Sequence, residues 1–258
     1  LGIARTLARR GVNVVLADID AAALAGARDE VAALGVTAHA RVLDVAYREA
    51  VRASAAEFER LLGKVHFVFN NAGVEIGGRE LAKVSDSEWD WLFGVNVFGV
   101  INGLRHFVPL VRRHGEGGHV VNTASIAGFQ VNAEYRLGPY STTKAAVVAL
   151  SEALAQDLEN TSVGVSVLCP AAVDTRIADS GRNRQARFGG PGEGEPFNPL
   201  REKLRAALKG SMTPDEVGER VLRGIRQGDF YIFTHDGPKP WLERRFARIL
   251  AAFDRVRG

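Results

Sequence analysis

Two rhythms of apolar residues alternate along this chain. Short, nearly continuous apolar runs are separated by longer stretches with an apolar position every three or four residues. The runs read as strands buried on both faces, and the stretches as amphipathic helices. Residues 2–10 read as a helix stopped by Gly11, and 12–17 as a strand. Residues 20–34 read as an Ala-rich helix with Asp20 as N-cap and Gly35 as its stop. Residues 36–43 form a third apolar region, 46–62 a helix stopped at Gly63, and 65–69 (VHFVF) a buried strand.

Ser85 and Glu88 form a capping-box pattern that opens one long helix over 85–113. A strand at 120–123, a helix at 139–160 and a strand at 163–168 follow. Residues 176–198 are rich in Gly, Pro and Arg and read as a mobile loop. Thr213, Pro214 and Glu216 mark another helix start, 230–233 a last strand and 241–253 a terminal helix. Such alternation predicts a doubly wound α/β domain on a parallel sheet, one domain over 1–258.

Composition narrows the classes. Of 258 residues, 46% are hydrophobic and 24% charged, with a net charge of +3, so no strongly charged tail or stripe sets the behaviour. No apolar run is long enough for a transmembrane helix. Basic residues cluster only at Arg244, Arg245, Arg248, Arg255 and Arg257, which reads as a solvated last helix and not as a nucleic-acid or membrane surface. A single cysteine, Cys169, allows no intrachain disulfide and fits a cytoplasmic protein. It sits in an apolar run and reads as a small buried hydrophobe. The six histidines show no ligand spacing, so no metal site is expected.

Candidate chemistry centres on Tyr140 and Lys144, which share one face of a helix at i and i+4. An ammonium beside a phenol favours the phenolate and so makes a tyrosine usable as an acid or base. Alone the pair is weak, since any exposed helix can carry it. Ser125 follows the strand 120–123, where an open parallel sheet binds ligands. Asn70, Asn71, Ala72 and Gly73 follow the strand 65–69 and suit a turn close to a ligand. Asp18 ends the second apolar run, where a carboxylate can hold both ribose hydroxyls and repel a 2′-phosphate; Ile19 follows it.

In this order and spacing, Gly2, Asp18, Asp44-Val45, Asn70-Asn71-Ala72-Gly73, Asn96, Ser125, Tyr140-x-x-x-Lys144 and Pro170-x-x-Val173-x-Thr175 resemble the short-chain dehydrogenase/reductase family. The resemblance covers roughly residues 1–175. It implies a three-layer Rossmann-type fold, a homotetramer or homodimer packed through helices 85–113 and 139–160, and a substrate lid over 176–212. Tyr140 would be the general acid/base, Lys144 would lower its pKa and hold the nicotinamide ribose, and Ser125 would hold the substrate oxygen. Asn96 would anchor a water. Gly2, Asp18, Asp44, Val45, the backbone of Asn70, Ala72, Gly73, Val173 and Thr175 would line the cofactor. NAD(H) is expected in preference to NADP(H), with a secondary alcohol or ketone as substrate. Apolar bulk for that substrate is expected from Phe129, Val131, Phe188, Phe197 and Leu200, and an acidic group on it would meet Arg176, Arg182, Arg184 or Arg187.

Three departures stand out. Leu1-Gly2 matches only the end of the family's glycine-rich turn, and the first residue is Leu while the only methionine is Met212. The first strand is therefore expected to be missing, from a parent chain longer by that strand and its turn, with two strand edges left open. The segment from Ser125 to Tyr140 is about two residues longer than the family's, and Ala171 replaces the usual glycine after Pro170. The rival classes are an NADP(H)-dependent carbonyl reductase, a nucleotide-binding Rossmann module without catalysis, and a different Rossmann enzyme such as a methyltransferase.

Overall fold

The computed structural model describes residues 1–191 and 198–257. Among the described residues, six parallel strands carry the fold. Strand β1 (Val14–Asp18) pairs with β2 (Ala38–Val42). Strands β3 (Phe67–Asn70), β4 (Gly118–Thr123), β5 (Val163–Cys169) and β6 (Tyr231–Phe233) pair in sequence order. The two groups do not hydrogen-bond to each other, so β1 and β3 each keep one edge without a strand partner among the described residues.

Successive residues of β4 show how the layers arise. Val120 packs beneath α3 (Arg48–Leu62), α5 (Gly99–Arg113) and α6 (Gly138–Leu158), through Phe58, Phe107 and Leu154. Val121 faces the other way, onto Val217 and Val221 of α8 (Pro214–Gln227) and Ile3 of α1 (Gly2–Ala8). Strand residues alternate faces, so two consecutive valines feed two cores. Ala4 and Ala8 of α1 then meet Val31 of α2 (Ala21–Ala32).

The start signals hold. Asp20 accepts from the Ala23 N–H at 3.0 Å. Both capping boxes close, Ser85 with Glu88 and Thr213 with Glu216. Gly63 ends α3 with φ +73°, a conformation that costs a glycine little.

Two expectations need correction. The expected single helix over 85–113 is three pieces: α4 (Asp86–Phe93), a π-turn at Gly94–Phe98, and α5. Periodicity misses this because one inserted residue barely shifts an apolar stripe. The expected loop at 176–198 holds 3₁₀ turns at Ile177–Asn183 and Ala186–Phe188, and α7 (Pro199–Leu208) follows it. The Asn198-Pro199 pair announces α7: Asn198 accepts from the Leu200 N–H, and proline at N1 loses no hydrogen bond. The last helix, α9 (Lys239–Asp254), buries none of its residues.

Candidate active site

The carboxyl ends of β1 to β5 border one long cleft. It is lined by Asp18, Asp44, Asn70 to Gly73, Ser125, Tyr140, Lys144 and Val173 to Arg176. It runs on through the gap between the two strand groups, past Leu16, Phe67 and Phe69. Residues distant in sequence thus meet at the edge that open α/β sheets use for ligands.

Tyr140 and Lys144 lie buried on the same face of α6, with Lys144 Nζ 5.6 Å from the centre of the Tyr140 ring. Lys144 Nζ donates to the Thr123 carbonyl at 2.7 Å, which holds the ammonium at the end of β4. Burial pushes Lys144 down to about 8, and the Cys169 thiol draws it slightly back up. Burial also raises the Tyr140 phenol above its ordinary range; the Ser125 hydroxyl opposes that rise and the Glu75 carboxylate adds to it. Cys169 itself is buried, and its thiol is pushed up to about 12. Ser125 Oγ accepts from the Ala127 N–H at 3.1 Å and donates to the Pro170 carbonyl at 3.3 Å.

A buried ammonium has a testable cost. In the unfolded chain a lysine keeps its proton to about 10.5, whereas Lys144 releases it near 8. Between those values the unfolded state holds more protons, so stability should rise with pH; below 8 the full cost is present. Lys144→Met is therefore expected to raise stability at pH 7 by about 1–3 kcal/mol, after allowing for the lost bond to Thr123. Urea titrations at pH 7 and pH 10 check this. A variant no more stable than the parent at pH 7 contradicts it.

Asn96 sits fully buried in the π-turn. Its Oδ1 accepts from the Val74 N–H at 2.8 Å. Its Nδ2 donates to the Val74 carbonyl and to Thr143 Oγ1, both at 2.9 Å. Thr143 Oγ1 donates in turn to the Tyr140 carbonyl at 2.8 Å. Asn96 thus ties the turn after β3 to the helix bearing Tyr140. Both its amide protons are committed, so Nδ2 has none left to donate elsewhere.

The cofactor-side residues divide into two kinds. At Gly73 a Cβ would crowd the site, lying 3.3 Å from Lys144 Nζ and 3.5 Å from Asn96 Oδ1. Gly2 lacks one because of packing: a Cβ would meet the Pro214 carbonyl oxygen at 2.0 Å. Asp18 and Ala72 are exposed at the cleft, and Asp18 Oδ1 accepts from the Asp20 N–H. Asn70 turns its side chain inward to Asn122 Oδ1 at 2.8 Å, leaving its backbone to the cleft. Val45 packs toward Gly99, and its carbonyl accepts from Asn102 Nδ2 at 2.9 Å. Sequence reading missed Asn102, although a polar residue on the apolar stripe of α5 was a visible signal. Val173 bridges to Met212, and Thr175 is exposed at the cleft.

The substrate side differs from expectation. Phe129 packs on Tyr231 and Phe233, and Phe188 on the buried cluster that holds Val74, Trp91 and Val95, and neither lines the cleft. Phe197 lies outside the described residues. Val131 does line the cleft, with Leu137, Tyr135, Leu204 and Leu208. Three of the four arginines are engaged. Arg182 donates to two backbone carbonyls, Arg184 to Ser87 Oγ, and Arg187 pairs with Asp44 at 2.6 Å. At the opposite end of the sheet, His66, His114 and Glu116 have ligand atoms within 4.8 Å of one another. His114 already spends both nitrogens there, on the Val65 carbonyl and the Glu116 N–H.

A family model for short chain dehydrogenases matches residues 1–186. The chain belongs to the short-chain dehydrogenase/reductase family. A C alpha-dehydrogenase of Sphingobium sp. is 35% identical over 250 residues, covering 96% of this chain and 81% of that protein. A short-chain dehydrogenase/reductase from Burkholderia phymatum, solved in complex with NAD, superposes with a TM-score of 0.91 at 36% identity, over 97% of this chain and 90% of the other. An alcohol dehydrogenase from Thermococcus sibiricus, solved with 5-hydroxy-NADP, gives 0.69 at 28% identity, over 90% and 89%. This family of oxidoreductases uses NAD or NADP, and the fold is the Rossmann-type sheet flanked by helices that the family shares. Among the described residues, no helix is long and apolar enough to cross a membrane.

Proposed function

We propose that this dehydrogenase moves a hydride between NAD(H) and a secondary alcohol or ketone, with Tyr140 as general acid/base. The observation that carries the reading is the buried pairing of Tyr140 and Lys144 on one face of α6, with the Ser125 hydroxyl beside the phenol. A nicotinamide held in the cleft would supply or accept the hydride. Ser125 donates a hydrogen bond to the substrate oxygen and stabilises charge gathering there. Tyr140 gives that oxygen its proton on reduction and takes it back on oxidation. The Lys144 ammonium, aimed by the Thr123 carbonyl, stabilises the phenolate left behind. Asp18, Asp44, Val45, the backbone at Asn70, Ala72, Gly73, Val173 and Thr175 would hold the cofactor. The apolar wall of Leu137, Leu204 and Leu208 favours a substrate with hydrocarbon bulk next to the reacting carbon.

Cofactor choice rests on Asp18, a carboxylate at the end of β1 with Ile19, not a cation, after it. Titration of NADH and NADPH, followed by nicotinamide fluorescence, should give tighter binding of NADH. Asp18→Ala should weaken NADH about 10-fold and narrow the preference, because the variant loses the ribose bonds and the repulsion of a 2′-phosphate. Equal binding of both cofactors by the parent chain, unchanged in the variant, would remove Asp18 from the reading.

A further inference from the structure

The terminal helix presents a surface that its own body leaves uncovered. None of the residues of α9 is buried. Phe246, Leu250 and Phe253 are 45%, 65% and 67% exposed. A helix of sixteen residues is marginal in water without packing. Its apolar positions also follow a rule. Leu242, Phe246, Ile249 and Phe253 of α9 repeat at steps of four, three and four residues, and Val256 follows three positions on, in the 3₁₀ turn Arg255–Arg257. This is the seam spacing of a helix that pairs with another helix.

We infer that α9 is a homodimer contact, in which two copies of this chain pair their terminal helices antiparallel along this seam. A two-fold axis at Ile249 and Leu250 sets Phe246 against Phe253 of a second copy, and Leu242 against Val256. Arg245, on the flank of the seam, then faces Ala252 of the second copy, so no like charges meet there. Phe246, Ile249, Leu250, Phe253 and Val256 together leave roughly 600 Å² per copy in water, most of the ~800 Å² that each partner buries in a standard interface. Glu243 borders the seam directly, and a carboxylate there opposes the anionic lipid surface that a basic amphipathic helix would seek. This contact is separate from the long helices through which family resemblance implies assembly.

The test is the mass of the whole chain in solution by sedimentation. The parent should sediment as a dimer or a multiple of one, and Leu250→Glu should halve that mass while its circular dichroism and Tm stay near the parent's. A parent at 27.8 kDa, or a mass that Leu250→Glu leaves unchanged, overturns the inference. So does a monomeric parent that co-sediments with phosphatidylserine vesicles through this helix. Should Leu250→Glu fold poorly, cysteine cross-linking decides: Leu250→Cys should form a disulfide-linked dimer under mild oxidation. Phe246→Cys, about 10 Å from its mate in this pairing, should not. Cross-linking at position 246 and not at 250 rejects the antiparallel register.

Discussion

Tyr140→Phe is expected to lower turnover about 1000-fold, equivalent to about 4 kcal/mol of transition-state stabilisation. The change deletes one oxygen from a buried ring and leaves the packing of α6 in place, so Tm should move little. NADH affinity should stay within about twofold, because Lys144 still donates to Thr123 and still lines the cofactor end of the cleft. The informative control is Tyr135→Phe. Tyr135 also lines the cleft, but the residue four positions on is Pro139, not a lysine. Its loss should alter KM more than kcat. If Tyr140→Phe kept a tenth or more of parental turnover with intact cofactor binding, the proton would have to come from another group, and the proposed mechanism would fail.

Asn96→Ala is expected to cost about 3 kcal/mol of stability, a fall in Tm of about 10 °C. The estimate follows from what the side chain satisfies. Its removal strands the Val74 N–H, the Val74 carbonyl and one bond of Thr143, all in a buried place. Turnover should fall as well, because the turn at 70–75 loses its tie to the helix bearing Tyr140. Asn96→Asp separates the parts. A carboxylate can accept from the Val74 N–H but cannot donate to its carbonyl or to Thr143. It should recover only part of the loss. Thermal unfolding of both variants, read beside kcat, checks this. A variant as stable as the parent would mean that water replaces the amide at no cost.

The two predictions differ in how far a reader of the sequence could have reached them. Tyr140 and Lys144 are visible because four residues along a helix return to the same face, which is local geometry. Asn96 stands in a run of small and apolar residues, and its importance comes from Val74, twenty-two positions earlier, and Thr143, forty-seven later. Nothing in the run announces the π-turn that aims it. The substrate wall was misjudged for a related reason. Phe129 and Phe188 are apolar residues in loops near the site, yet each finds a better-packed place away from the cleft. Leu204 and Leu208 reach the cleft through α7, whose capping signal was present but unread.

What the sequence by itself determined is therefore the local part of this protein. Apolar runs alternating with amphipathic stretches set the order of strands and helices, and capping residues set the starts of α2, α4, α7 and α8. The i, i+4 spacing set the pairing of Tyr140 with Lys144. Only the tertiary structure decided that Ser125 meets that pair, that Asn96 bridges Val74 and Thr143, and that Arg187 reaches Asp44. It also decided that α9 turns its apolar seam to solvent. Those outcomes depend on how helices seat on the two faces of the sheet. That seating is settled by the sum of many weak packing contacts, and no short stretch of residues records it.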